Sequence, residues 1–284
     1  MGAIEKIAVV GAGAMGSGIA QVIASAKRSA VLIDTGRAQL ERARGAIENS
    51  LSRQVKKGTL LPADSSAVLK RVTYTSDLTA AEEGDVVIEA VFEEEGVKRE
   101  LWKKLDAFCN PDALFASNTS SISITKLASM TSRPAQFIGM HFFNPVPMMK
   151  LVEVIRGNQT GDETCAAIVQ LAKDLGKTPV EVNDFPGFVS NRVLMPLINE
   201  AIFAVFEGVA KPEAVDEIFK LGMAHPMGPL TLADFIGLDV CLNILEVLQD
   251  GFGDPKYRPC PLLRQMVAAG KLGKKSGEGF YKYP

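Results

Sequence analysis

Short apolar runs alternate with long amphipathic stretches through the first half of the chain. Ile7–Val10 is a β-branched run, Ala14–Ser25 has helical spacing, and Ala30–Asp34 is a second apolar run closed by an acid. A charged helical stretch follows from about Arg37 to Lys57. Val72–Tyr74 is a weak strand and Asp85–Val91 (DVVIEAV) a strong one; Ala113–Ala116 and Phe137–His141 are two more. Between them, Glu95–Phe108 sets Leu101, Trp102, Leu105 and Phe108 at helical spacing. Strands that are apolar along their length and alternate with helices predict a parallel sheet covered on both faces. The later runs Leu151–Ile155 and Pro179–Val182 are expected to extend that sheet.

After Asp184-Phe185-Pro186-Gly187 the texture changes. Phe188–Phe206, Glu213–Leu221 (opened by Pro212), Pro229–Leu248 and Pro261–Ala269 read as helices, with few strand signals among them. A domain boundary is therefore expected near residue 185, with residues 1–185 forming the sheet domain and 186–284 an all-helical one. Helices with this much apolar surface suggest burial against a partner subunit, hence a homodimer through the helical domain.

A chain of 284 residues accommodates two such domains. With 31 basic and 33 acidic side chains the net charge is −2, so no global basic excess points to nucleic acid or to an anionic membrane. Only a local basic cluster for a phosphorylated ligand stays open. The cysteines Cys109, Cys165, Cys241 and Cys260 form no C-x-x-C pair, and the histidines His141 and His225 complete no zinc pattern. A disulfide framework and a metal are not expected, and a reducing compartment, the cytoplasm, fits. Met1–Lys6 shows no leader pattern, and no apolar run reaches the roughly 18 residues a membrane helix needs.

The strongest local motif is Gly11-Ala12-Gly13-Ala14-Met15-Gly16, between a predicted strand and a predicted helix. Gly11 permits the tight turn, Gly13 lets backbone approach a pyrophosphate, and Gly16 allows close helix–strand packing. The helix start, from Ala14 and Met15, offers N–H groups and a positive dipole end to phosphates. Asp34 closes the second strand and suits the adenosine ribose hydroxyls while repelling a 2′-phosphate, which favours NAD over NADP; Arg37 pulls slightly the other way. In this context the fold class is α/β: a Rossmann-like doubly wound sheet followed by a helical domain.

Four further features carry chemistry, each with a plainer reading beside it. His141 ends a predicted strand, where open α/β sheets bind ligands, or it is a core histidine satisfied by backbone. Glu153 lies inside the apolar run Leu151-Val152-Glu153-Val154-Ile155. If a short loop joins two adjacent strands, this acid sits beside His141 and fixes its tautomer; otherwise it faces solvent on an edge strand. Ser117-Asn118-Thr119-Ser120-Ser121 either orients a substrate oxygen or the nicotinamide ribose, or caps a helix over Ile122–Leu127. Asn191 and Arg192 fall early in the first helix of the second domain, as part of a cleft or as surface groups. The cluster Arg53, Lys56 and Lys57, and the tail Gly273–Tyr281, read alone as a solvated helix face and a loop.

Together these segments resemble the L-3-hydroxyacyl-CoA dehydrogenase family over essentially the whole chain. The motifs that carry it are GAGAMGSGIAQ, SNTSSISI, GMHFFNPVPMMKLVEVI, DFPGFVSNR, AHPMGPLTLAD and GKKSGEGFYKY, in that order. The resemblance implies NAD-dependent interconversion of (S)-3-hydroxyacyl-CoA and 3-ketoacyl-CoA, with 3-hydroxybutyryl-CoA the expected substrate. It implies His141 as acid/base, Glu153 as its partner, and Ser120 and Asn191 at the substrate oxygen. It implies cofactor contacts from Glu93, Lys98, Asn118, Ser120, Asn144 and Lys275, and coenzyme A contacts from Ser50 and Lys56 or Lys57. The length matches the stand-alone form rather than a fusion with a hydratase. Lysine-dependent β-hydroxyacid dehydrogenases share the opening motif but not the H-F-F-N-P segment. A related sugar-acid dehydrogenase, or a non-catalytic NAD(H)-binding protein on the same fold, are the alternatives.

Overall fold

The structure, a computed structural model, describes residues 4–284. The chain divides into two compact units, Met1–Asp184 and Phe185–Pro284. In the first, the elements run β1 (Lys6–Val10), α1 (Ala14–Ser25), β2 (Ser29–Ile33), α2 (Arg37–Lys56), α3 (Pro62–Lys70), β3 (Val72–Thr75), β4 (Val86–Glu89), α4 (Glu95–Phe108), β5 (Leu114–Ser117), α5 (Ile124–Ala128), β6 (Phe137–Phe142), β7 (Leu151–Arg156), α6 (Asp162–Asp174) and β8 (Thr178–Asn183). One eight-stranded sheet joins the strands in the order β3-β2-β1-β4-β5-β6-β7-β8. The strands β1, β4, β5 and β6 are buried almost throughout, which is why their sequences are continuous apolar runs. Ile7, Val9, Ile19, Ile23, Leu32 and Ile88 pack in the core they share with the helices.

From β3 to β6 every neighbouring pair is parallel, and the order 3-2-1-4-5-6 is that of a dinucleotide-binding sheet. The expectation of one parallel sheet needs a correction at β7, which runs antiparallel to β6. The chain between Phe142 and Leu151 is too short for the crossover of a dozen or more residues that a parallel return requires. It reverses instead, and His141 pairs directly with Glu153. After α6, β8 returns parallel to β7 as a largely exposed edge strand.

The second unit is helical: α7 (Ser190–Phe206), α8 (Pro212–Gly222), α9 (Pro229–Ile236), α10 (Leu238–Phe252) and α11 (Pro261–Ala268). Its core gathers Ile198, Ile202, Leu230, Leu238, Leu245 and Leu263. The single helix expected over Pro229–Leu248 is two helices. Gly237 stands between them at φ 104°, a backbone conformation glycine alone adopts without strain, and it ends α9 and opens α10. Among the described residues no helix is long and apolar enough to cross a membrane.

Candidate active site

Because β1, β2, β4, β5 and β6 are parallel, everything that follows their last residues lies along one edge of the sheet. The glycine loop leaves β1 there. Gly11 has φ 104°, and a Cβ on it would come within 2.5 Å of the Ala90 carbonyl oxygen. A Cβ on Gly16 would fall 1.7 Å from the Gly11 carbonyl oxygen, so the turn closes only with glycine at both places. Gly13 is different: a Cβ would meet nothing within 4 Å, so the space above it is open to a ligand. Asp34 spans the loop from β2, its Oδ2 accepting from Ala12 N at 2.8 Å and its Oδ1 from Gly36 N at 2.9 Å.

Above the loop is a cavity of about 860 Å³, lined by Gly11, Gly13, Ala14, Met15 and Asp34, with Ala90, Val91 and Phe92 opposite. Its size is that of a large-ligand pocket. The residues fit a dinucleotide: glycine backbone and the start of α1 at a pyrophosphate, and a carboxylate at a ribose.

Farther along the same edge stand His141 and Glu153, on the adjacent strands β6 and β7. His141 Nδ1 lies 2.8 Å from Glu153 Oε2, and the two residues are 8% and 3% exposed. A carboxylate this enclosed is retained where a partner offsets its desolvation, and the imidazole is that partner. The carboxylate engages the ring through Nδ1, and such a contact fixes the orientation of an imidazole. Phe143 packs its ring 4.7 Å from the imidazole.

The Asn118–Ser121 turn follows β5. Asn118 Oδ1 accepts from Phe142 N at 2.9 Å, tying the turn to the residue after His141. Glu93 Oε1 gathers the turn from the other side, accepting from Thr119 Oγ1 at 2.5 Å, Ser120 N at 2.9 Å and Ser121 N at 3.0 Å. Burial opposes ionisation of Glu93. The charge of Lys98 and hydrogen bonds from Thr119, Lys98 and Ser121 outweigh it, holding the carboxyl below its ordinary value. Lys98 itself is 1% exposed, its ammonium set between Glu93 (3.1 Å) and Glu89 (2.5 Å).

The other expected site residues are placed within their own units. Asn144 is exposed in the β6–β7 loop. Ser50 is half-buried on α2, whose last turn carries Arg53 and Lys56, with Lys57 as its cap; all three basic residues are exposed and complement the helix dipole. In the second unit, Asn191 opens α7 with its N–H donating to the Gly187 carbonyl, and Lys275 forms an ion pair with Asp239. All four cysteines are buried; burial pushes Cys109 and Cys165 up to about 11 and Cys241 up to about 12, which makes them poor nucleophiles.

Glu89, absent from the expected site residues, carries the same sequence signal as Glu153: it is an acid inside an apolar run, DVVIEAV.

Residues 6–185 match the family model for the 3-hydroxyacyl-CoA dehydrogenase NAD binding domain, and residues 187–283 match that for the 3-hydroxyacyl-CoA dehydrogenase C-terminal domain. The chain belongs to the 3-hydroxyacyl-CoA dehydrogenase family. A probable 3-hydroxybutyryl-CoA dehydrogenase of Deinococcus radiodurans is 59% identical, covering 98% of this chain and 100% of that protein. The human mitochondrial hydroxyacyl-coenzyme A dehydrogenase is 42% identical over 99% of this chain and 91% of its own. Among solved structures, the (S)-3-hydroxybutyryl-CoA dehydrogenase of Ralstonia eutropha superposes with a TM-score of 0.97 at 50% identity, covering 99% of this chain and 100% of that one. The glycine-loop cavity and the His141–Glu153 pair lie along one edge of the sheet in the residues that match the NAD binding domain.

Proposed function

We propose that this chain interconverts (S)-3-hydroxyacyl-CoA and 3-ketoacyl-CoA with NAD(H), acting on 3-hydroxybutyryl-CoA and acetoacetyl-CoA. The observation that carries the reading is the 2.8 Å contact between His141 Nδ1 and Glu153 Oε2, at the edge where the glycine loop opens its cavity. Bound NAD supplies a two-electron hydride acceptor. In the oxidising direction His141 takes the 3-hydroxyl proton at Nε2; in reverse it returns that proton to the alkoxide oxygen. Glu153 stabilises the imidazolium formed on the way and keeps the ring from turning. Ser120 and Asn191 hold the substrate oxygen. Such proton transfer contributes roughly 10²–10⁴-fold.

Gly11, Gly13, Ala14, Met15, Gly16 and Asp34 would hold the pyrophosphate and adenosine end. Asn118, Asn144, Ser120, Glu93, Lys98 and Lys275 serve the other end, and Ser50 with Lys56 or Lys57 takes the coenzyme A phosphates. Residues 1–185 thus act as the NAD-binding domain and 186–284 as the substrate and dimerisation domain. A homodimer through the helical unit is supported by the exposed Ile218, Leu221 and Met223, at 57%, 79% and 57%. Cytoplasmic residence is supported by four free cysteines.

The test is NADH consumption, followed by absorbance, with acetoacetyl-CoA. Turnover with NADH well above that with NADPH is expected. Activity on free hydroxy or sugar acids without activity on the thioester would give the sugar-acid alternative. NADH binding without turnover of any hydroxyacyl or ketoacyl thioester would make the chain a non-catalytic binder.

A further inference from the structure

Under the Asn118–Ser121 turn, two carboxylates share one ammonium. Glu89 ends β4 with no exposure at all. Its Oε1 accepts from Lys98 Nζ at 2.5 Å and from Val91 N at 2.9 Å; its Oε2 accepts from Ser117 Oγ at 2.6 Å. Two routes lead from there to the turn. One passes through Lys98 Nζ to Glu93, and from Glu93 Oε1 to Thr119, Ser120 and Ser121. The other passes through Ser117, whose Oγ also accepts from Thr119 N at 3.2 Å. A short backbone link runs parallel to both, Asn118 N donating to the Glu89 carbonyl at 2.8 Å.

We infer that Glu89 is a positioning residue for the reacting end of the cofactor site: through Lys98 it holds the Glu93 carboxylate in the posture that grips the turn carrying Ser120. The inference rests on the NAD(H) reading above. Lys98 is enclosed, and its ammonium is held between the two carboxylates. Its position is a balance between two acceptors, and a buried ammonium moves toward whichever acceptor keeps its charge. Remove the charge of Glu89, and Lys98 shifts toward Glu93 and draws that carboxylate off the turn. Glu89 also fixes the Val91 N–H, and Ala90 and Val91 line the cofactor cavity, so the same side chain braces the cavity wall.

The test is an equilibrium titration of NADH binding by fluorescence, with thermal unfolding of each apo variant as the folding control. Glu89→Gln is expected to fold and to weaken NADH binding by about tenfold, the loss of one charge-assisted bond. Glu93→Gln is expected to weaken it similarly. The double variant is expected to lose less than the product of the two single losses, because Glu89 and Glu93 share the route through Lys98. Lys98→Met leaves two carboxylates facing each other and should bind worst, with Glu89→Gln added to it restoring part of the affinity. A purely structural Glu89 would lower the melting temperature and leave the affinity of the folded protein unmoved. That result, or multiplicative losses in the double variant, overturns the inference. If Glu89→Gln does not fold, the comparison of Lys98→Met with Lys98→Met/Glu89→Gln decides: rescue upholds the inference and its absence overturns it. Failure of the unmodified chain to bind NADH would strike the functional reading instead.

Discussion

In the first unit the buried acids Glu89 and Glu153 meet ionisable side chains, Lys98 and His141. In the second, Asp216 and Asp234 are as deeply enclosed, at 3% and 1% exposure, but they meet backbone N–H groups and hydroxyls. Asp216 accepts from Leu230 N, Thr231 N and Tyr281 Oη; Asp234 accepts from Phe280 N, Tyr281 N and Tyr283 Oη. The tyrosines stay good donors, since burial pushes both phenols well above their ordinary value. The first arrangement can pass a proton or steer a neighbouring charge. The second ties the chain end at Phe280–Tyr283 to α8 and α9. Burial of a carboxylate therefore does not mark a site; the group that faces it does.

The sharpest way to break this contrast is at the dyad. His141→Gln is expected to lower kcat/KM for acetoacetyl-CoA by roughly 10²–10⁴-fold, the range that general acid–base catalysis supplies. Its unfolding midpoint should barely move, because glutamine can still donate to Glu153 from the imidazole's place. Steady-state kinetics beside a urea melt checks both. Turnover near that of the unmodified enzyme would remove His141 from the chemistry, and a large stability loss would make the pair a structural bond like those of the second unit.

Asp234→Ala probes the other side. It strands three donors, Phe280 N, Tyr281 N and Tyr283 Oη. Each unsatisfied buried donor costs about 1–3 kcal/mol, so a stability loss of about 3 kcal/mol or more is expected from denaturant unfolding. The kcat of the folded fraction should change far less than in His141→Gln. A variant that stays stable but loses turnover would show that the second unit's acids share the first unit's role.

Much of this division was legible in the chain. The glycine loop, Asp34 and the apolar strands follow from spacing; α1 has the bounds that the pattern sets, and β1 begins one residue before the apolar run. Glu153 was legible because an acid in a β-branched run demands a partner, but the partner depended on the direction of β7. That direction is set by the length of the loop after Phe142, which hydrophobic pattern does not weigh. Helices α3 and α6 went unassigned, although Cys165, Ile168, Leu171 and Ala172 mark a buried stripe on α6. Lys98 entered only as a cofactor contact that the family resemblance implies, yet it shares the buried face of α4 with Trp102 and Leu105, four and seven residues on. A charge at such a position implies an acid beneath the helix, and Glu89 is that acid. The fit of the Phe280–Tyr283 segment to Asp216 and Asp234 joins residues dozens of positions apart, and periodicity carries no such information.

The smallest expected effect separates the two kinds of acid by sign. Glu93 is held below its ordinary value, so its carboxylate contributes stability that is complete above the unfolded value of 4.5 and lost as pH falls through the lower folded value. Asp234 is pushed the other way: burial raises it, against the N–H groups of Phe280 and Tyr281 and the Tyr283 hydroxyl. Its protonated form is the one folding favours, so its contribution is complete below the unfolded value of 3.8 and is lost as pH rises through the folded value. Unfolding midpoints measured over roughly pH 3 to 6 should therefore change slope in opposite senses in two variants. Glu93→Gln should flatten the acid-side decline, and Asp234→Asn should steepen the rise just above pH 3.8. Fluorescence of Trp102, the chain's one tryptophan, follows the first unit, and far-UV dichroism follows both. Slopes shifting in the same sense would mean that the hydroxyls and N–H groups around Asp234 stabilise its charge as well as Lys98 stabilises that of Glu93, and the contrast between the two units would lose its electrostatic basis.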